Sequence, residues 1–261
     1  MDFGLNNKTA LVHGAGGGLG GAIALTLAAE GATVVVCDIN EDLLSKTCKA
    51  IEAAGGKAIG KQWDLARIDQ FEQWHNEVVE AAGPIDILCN NTGGPPPSLV
   101  RNVDRGVWEK HFQEMVLSVI SMTDLALPHM LEQGWGRIIT SASSGVIAPI
   151  ANLGLSNSLR SALVGWSKTL AREVGPKGVT SNVLVPGRIA TGRIVALDEA
   201  KAGRENRSVE SVMEESVGTI PVKRYGKPSE YGAAATFLAS QQASYITGSV
   251  VRVDGGLIAN V

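Results

Sequence analysis

Ser156 and Arg160 stand four residues apart in GLSNSLRSALVGWSKTLARE, residues 154–173. Apolar residues at Leu155, Leu159, Ala162, Leu163, Trp166 and Leu170 give this stretch a helical stripe to bury. Positions four apart lie one turn apart on one helix face. A hydroxyl and a guanidinium so placed can meet a substrate, hold a cofactor's hydroxyls, or only face solvent. A serine hydroxyl donates a hydrogen bond but is a poor proton source, and arginine does not relay protons near pH 7. As a nucleophile, Ser156 or Ser143 would need a base beside it, and the sequence offers no obvious one.

A second group of residues points to phosphate. HGAGGGLGGAIALTLAAEG follows the apolar run KTALV. Gly14, Gly18 and Gly20 give G-x3-G-x-G; Gly16, Gly18 and Gly21 give G-x-G-x-x-G. Either spacing lets backbone approach a pyrophosphate at a helix N-terminus. Asp38 closes the next apolar run, VVVCD. A carboxylate there accepts from both adenosine-ribose hydroxyls and repels a 2′-phosphate, favouring NAD(H) over NADP(H). The competing role for Asp38 is to cap the following helix, which Asn40 could do instead.

These residues need a scaffold. Buried-strand runs are read at 8–14, 32–38, 57–64, 85–91, 136–143, 179–187 and 249–256. Helical patterns are read at 19–30, 41–54, 68–82, 104–133, 156–174 and 229–239. The alternation predicts an α/β chain of βαβ units, with helices on both faces of a parallel sheet. No repeat or linker divides residues 1–261, so one domain is expected. Residues 188–228 break the rhythm. They are long, charged and weakly periodic, which predicts a lid-like substrate segment rather than a plain surface excursion. Arg188, Arg193, Arg204 and Arg207 there are nearly balanced by nearby carboxylates, so self-paired surface charge is expected. The rigid stretch GGPPPSLVRN, 93–102, reads equally as a pocket wall or a surface turn.

Bulk properties narrow the classes. A formal net charge of −3 gives no reason to expect nucleic acid or an anionic membrane as partner. No apolar run approaches a membrane span, and the N-terminus carries no secretory pattern. Cys37, Cys48 and Cys89 have no paired spacing, which predicts reduced thiols in a cytoplasmic protein and no metal site.

Further stretches are more specific together: CNNTGG at 89–94, GRIITSAS leading to Ser143, NVLVPGRIATGR at 182–193, then IPVKRYGKPSEYGAAATFLAS and ASYITGSVVRVDGG. With the glycine turn, the chain resembles the short-chain dehydrogenase/reductase family, most of all its β-ketoacyl-acyl-carrier-protein reductase-like members, over about residues 5–257. The resemblance implies a single doubly wound Rossmann domain with a seven-stranded parallel sheet, in a homotetramer or homodimer. It places cofactor contacts on Gly14, Gly18, Leu19, Gly20 and Asp38, and beside the adenine on Asp64 and Leu65. It continues them on Asn91, Gly93, Pro186, Gly187, Ile189 and Thr191. His13 and Thr92 stand where the family usually has Thr and Ala, and His13 is expected to be a satisfied structural histidine.

The catalytic positions depart from the family pattern. Aligned without gaps, the family's Asn-Ser-Tyr-Lys set falls on Met115, Ser143, Ser156 and Arg160. Only the serine survives. The family's tyrosine suits proton transfer because its pKa, about 10, can be lowered toward working pH by a neighbouring ammonium. Ser156 cannot replace it, Arg160 can still hold ribose hydroxyls, and Met115 removes a polar group. Tyr225, Tyr231, His111 and His129 are substitute donors only in principle; Tyr231 and Tyr245 read as structural.

Three functions follow from these residues. The resemblance puts first a nicotinamide-dependent oxidoreductase acting on a small carbonyl or alcohol through a non-standard proton donor. A non-catalytic dinucleotide binder and a non-redox enzyme on the same fold are the alternatives.

Overall fold

Strands built from short β-branched runs assemble into one all-parallel sheet in the computed structural model, which describes residues 2–260. The strands are β1 (Thr9–Val12), β2 (Thr33–Asp38), β3 (Lys57–Gln62), β4 (Ile87–Asn90), β5 (Gly136–Ser141), β6 (Val179–Pro186) and β7 (Val250–Val253). Their order is β3-β2-β1-β4-β5-β6-β7. The chain first winds outward from β1 to β3, then returns and continues from β4 to β7. That reversal beside β1 opens a crevice at the carboxyl ends of the strands, where ligands bind in doubly wound sheets.

The helices are α1 (Gly18–Ala29), α2 (Glu41–Ala53), α3 (Phe71–Ala82), α4 (Arg105–Phe112), α5 (Ser118–Gln133), α6 (Gly154–Val174), α7 (Gly192–Glu205), α8 (Val209–Thr219) and α9 (Pro228–Ala239). Alternate strand residues supply the two cores. Ala10, Val12, Val34 and Val36 pack with Ile23 and Leu27 of α1 and Tyr231 and Leu238 of α9. Leu11, Val35, Cys37 and Leu88 face the other way, onto Phe71, Val78, Met122, Met130 and Leu170 of α3, α5 and α6. This is the period-two alternation of a sheet buried on both faces. Gly232 lets α9 sit against α1: a Cβ there would lie 2.5 Å from the Ala22 carbonyl oxygen.

Two elements differ from the sequence reading. The helix expected over 104–133 is interrupted by a π-helical turn at Gln113–Leu117, centred on Met115. Residues 188–228 hold α7 and α8. Each buries only two residues, Asp198 and Ala202 in α7 and Val212 and Ser216 in α8. With so narrow a buried face, half of it polar, no apolar stripe is written into the sequence. No helix among the described residues is long and apolar enough to cross a membrane.

Candidate active site

A cleft of about 1050 Å³ lies over the carboxyl ends of β1, β4, β5 and β6 and under α7. Its floor begins with the glycine turn. Gly14 and Gly18 both take φ of 55°, the left-handed region open to glycine. A Cβ on Gly20 would overlap the Gly14 carbonyl oxygen, so the helix closes on the turn only with glycine there. Gly17 caps α1 without a side chain, and the first turn carries no acidic residue. Gly14, Gly17, Gly18 and Leu19 line the cleft. Helix-terminal N–H groups not covered by a capping side chain fit the pyrophosphate of a dinucleotide.

Asp38 lines one end of this cleft. Its Oδ2 accepts from the Gly16 N–H and its Oδ1 from the Asn40 N–H, each at 2.9 Å. Asn40 is the helix cap, accepting from the Leu43 N–H at 2.9 Å, so Asp38 is left for the cleft. Asn91 ties the glycine turn to the segment after β4: its Nδ2 donates to the carbonyls of Gly14, at 3.1 Å, and His13, at 3.3 Å. Gly93, Pro186, Gly187, Ile189 and Thr191 also line the cleft. Gly187 is required by crowding, since a Cβ would lie 2.6 Å from the Asp254 Cα. Asp64 and Leu65 stand outside this lining, past β3. The Asp64 carboxylate caps a turn by accepting from the Ala66 N–H, and Leu65 packs on the core.

Arg160 is the best-anchored polar side chain in the cleft. Its Nη1 donates to the Ser141 carbonyl at 3.0 Å. Its Nη2 donates to the carbonyls of Gly93, at 2.9 Å, and Thr92, at 3.3 Å. The guanidinium thereby braces the ends of β4 and β5 from α6. Burial pulls its pKa down to about 10, which leaves it cationic at neutral pH. A guanidinium carries five donors, so Nε and part of Nη1 stay uncommitted. Ser143 and Ser156 line the same cleft, and the Ser143 Oγ accepts from the Gly145 N–H at 3.1 Å. Met115 is not brought to them. It is 2 % exposed and packs on Leu159 and Leu163 behind the cleft wall.

None of the lining residues is a tyrosine or a histidine. Tyr225 donates to Asp198 Oδ2 at 2.8 Å, and burial raises its pKa. Tyr231 is fully buried, with its hydroxyl 2.8 Å from Ser141 Oγ and 3.1 Å from the Leu184 carbonyl. Tyr245 is fully exposed. His111 pairs with Glu114 at 3.0 Å, and His129 lies 3.7 Å from Asp86. His13 is wholly buried against the Trp63 ring, but among the described residues neither ring nitrogen has a hydrogen-bond partner, contrary to the satisfied histidine expected. Burial lowers its pKa to about 4, offset in part by the nearby Asn90 amide.

The 93–102 segment is a cleft wall: Gly93, Gly94 and Pro97 line it. Ser98 pins it to the start of α6, with the Ser98 N–H on the Asn152 carbonyl and the Gly154 N–H on the Ser98 carbonyl. Sequence reasoning missed the C-terminal residues Leu257–Asn260, which also line the cleft. Gly255 and Gly256, with φ of 62° and 84°, turn the chain back there, and that glycine pair was the available signal.

The chain matches known proteins across nearly its whole length. A family model described as enoyl-(acyl carrier protein) reductase matches residues 14–258. The 3-oxoacyl-[acyl-carrier-protein] reductase FabG of Thermotoga maritima is 31% identical over 256 residues, covering 97% of this chain and 99% of its own. The short-chain reductase protein NovJ of Streptomyces niveus is 36% identical over 251 residues, covering 95% and 93%. The crystal structure of YwfH, an NADPH-dependent reductase involved in bacilysin biosynthesis, superposes with a TM-score of 0.92 at 30% identity, covering 97% and 99%. The glycine turn, the parallel sheet order and these matches together show that the chain belongs to the short-chain dehydrogenase/reductase family.

Proposed function

We propose that the protein is a nicotinamide-dependent oxidoreductase that interconverts a small carbonyl compound and its alcohol. The observation that carries this reading is the cleft itself. A side-chain-free α1 N-terminus, Asp38 at one end and a polar Ser143-Ser156-Arg160 group share one cavity. Bound nicotinamide dinucleotide supplies or accepts the hydride. Gly14, Gly18 and Leu19 hold its pyrophosphate, and Gly93, Pro186, Gly187, Ile189 and Thr191 hold its nicotinamide half. Gly20 serves by letting α1 approach the turn, and Asn91 by fixing the turn to β4. Asp64 and Leu65 border the adenine only if the base extends past β3.

In reduction, the dinucleotide would supply the hydride for the carbonyl carbon, and the carbonyl oxygen would take up a proton to give the alcohol. Ser143 donates a hydrogen bond to that oxygen. Arg160 holds a ribose hydroxyl with its uncommitted donors and places a fixed positive charge near the developing alkoxide. The atypical feature is the proton. Ser156 and Arg160 stand in the family's tyrosine and lysine positions, with Met115 in that of its asparagine. The proton therefore comes from water reaching the open cleft, and turnover is slower than acid-base catalysis would allow, by about 10²–10⁴-fold.

Asp38 supports NAD(H) over NADP(H), because both its oxygens are anchored with their charge on the cleft. Solved relatives described with NADPH set the opposite expectation, so the two cofactors must be compared directly. The whole chain acts as one domain, with residues 188–228 as its substrate lid. Exposed Val107, Phe112 and Leu117 near the π-helical turn suit a homo-oligomer contact, and the free cysteines suit a reducing cytoplasm.

The test is single-turnover incubation with NADH deuterated at C4 and a panel of ketones. Deuterium on the product carbinol carbon is expected. Tight cofactor binding with no label transfer favours the non-catalytic reading, and product without cofactor consumption favours the non-redox one.

A further inference from the structure

Two guanidinium groups converge on the cleft wall without a carboxylate between them. Arg193, in the first turn of α7, reaches across the cleft, and its Nη2 donates to the Pro95 carbonyl at 2.8 Å. Arg160 approaches from α6 and donates to the adjacent Gly93 carbonyl. Both flank Gly94: a Cβ there would lie 3.5 Å from Arg193 Nη2 and 3.7 Å from Arg160 Nη2. With no side chain on Gly94, the space between the two cations is left clear.

Arg188 and Arg207 of the lid segment behave differently. Arg188 is paired with Asp198 at 2.5 Å, and Arg207 with Glu205 and Glu215. The expected self-pairing holds for these two, whereas Arg204, which also lines the cleft, makes no ion pair among the described residues. Arg160 and Arg193 instead rest on carbonyl oxygens, which satisfy N–H groups but cancel no charge. Arg160 is only 8% exposed, and burial together with the like charge of Arg193 disfavours its charged form. None of the carboxylates on the cleft wall pairs with Arg160 or Arg193. Asp38 is held by Gly16 and Asn40, Glu215 by Lys201 and Arg207, and Glu205 by Arg207. An anion entering beside Gly94 would relieve an existing repulsion and meet charge-assisted donors. Apolar side chains also line the wall, among them Ile150, Leu153, Ile194, Leu197, Leu257 and Ile258.

We propose that Arg193 and Arg160 form an anion subsite for the carboxylate of the substrate, making the preferred substrate an oxo acid with an apolar body. This rests on the hydride-transfer reading of the same cleft. Arg193 supplies the hydrogen bonds to the carboxylate, and Arg160 the buried charge behind it. The same chemistry could serve a phosphate of the cofactor, so the test separates the two sources.

The experiment uses the NADH-saturated full chain and 4-phenylbutyrate, a carboxylate that cannot be reduced, against its methyl ester, by calorimetry. The acid is expected to bind at least tenfold more tightly than the ester, the scale of a charge-assisted hydrogen bond. In Arg193→Gln that preference should fall toward one, and Arg193→Lys should keep part of it, which also guards against a folding defect. Equal binding of acid and ester overturns the proposal. So does an equal loss of NADH affinity in R193Q, which would assign the anion to the cofactor. The companion assay compares 4-phenyl-2-oxobutanoate with its methyl ester by NADH oxidation. Carboxylate binding without reduction of any oxo acid would leave the subsite standing and overturn the hydride reading. Equal reduction of acid and ester would do the reverse.

Discussion

Arg160 of α6 donates to the carbonyl oxygen of Gly93, beyond β4, at 2.9 Å, and so fastens the cleft wall to the helix beneath it. The same guanidinium holds Ser141 at the end of β5. The side chain proposed to stand in a catalytic position is therefore a brace, whatever it also does for a ligand.

Removing the brace should cost stability. Arg160→Met leaves the Thr92, Gly93 and Ser141 carbonyls without their donor. The expected loss is about 2 kcal/mol, the scale of stranded buried acceptors partly rescued by water. Urea unfolding with unchanged m-value and a lower midpoint is the expected result; an unchanged midpoint would show that the brace is idle.

Restoring the family's proton machinery should restore rate. The double variant Ser156→Tyr/Arg160→Lys supplies a phenol and an ammonium one helical turn apart. Turnover on a ketone that the wild type reduces slowly should rise by about 10²-fold. A fall, or no gain in a folded variant, would mean that the pocket is organised around another donor.

The carboxylate of Asp38 should decide between cofactors. Asp38→Ala removes both the ribose acceptor and the repulsion of a 2′-phosphate. The ratio of NADPH to NADH dissociation constants, measured by fluorescence titration, should drop at least tenfold. Wild type that already prefers NADPH would contradict the assigned role.

Much of this was legible in advance, for physical reasons. β-Branched runs and glycine turns fix strands through local chemistry, so all seven strands fall within the predicted runs. The turn at Gly14 and Gly18 is readable because close backbone approach tolerates few residue types, and Asp38 falls in the cleft because it ends a strand beside that turn. The helices of 188–228 were not, because Asp198, Ala202, Val212 and Ser216 make no apolar stripe. The partners of Arg160 were not either, since carbonyls of Thr92, Gly93 and Ser141 leave no mark on the sequence. Convergence of Arg193 with Arg160 depends on tertiary placement alone.

His13 gives the fold an acid-sensitive point. Its folded-state pKa, about 4, lies below the ordinary 6.5 because of burial. The unfolded chain therefore binds the extra proton between those values, and stability falls as pH drops from 6.5 toward 4. The contribution is about 3 kcal/mol over the full window. His13→Thr should flatten this part of the stability–pH curve, read from urea midpoints at pH 7 and pH 5. Parallel curves for variant and wild type would remove His13 as the cause.

The proposed function requires a dinucleotide seat that persists without a tyrosine beside it. Calorimetric titration of the purified chain with NADH, repeated with NADPH, reaches that claim most directly. One NADH bound saturably per chain, and more tightly than NADPH, is the result predicted. Failure of both cofactors to associate would contradict it.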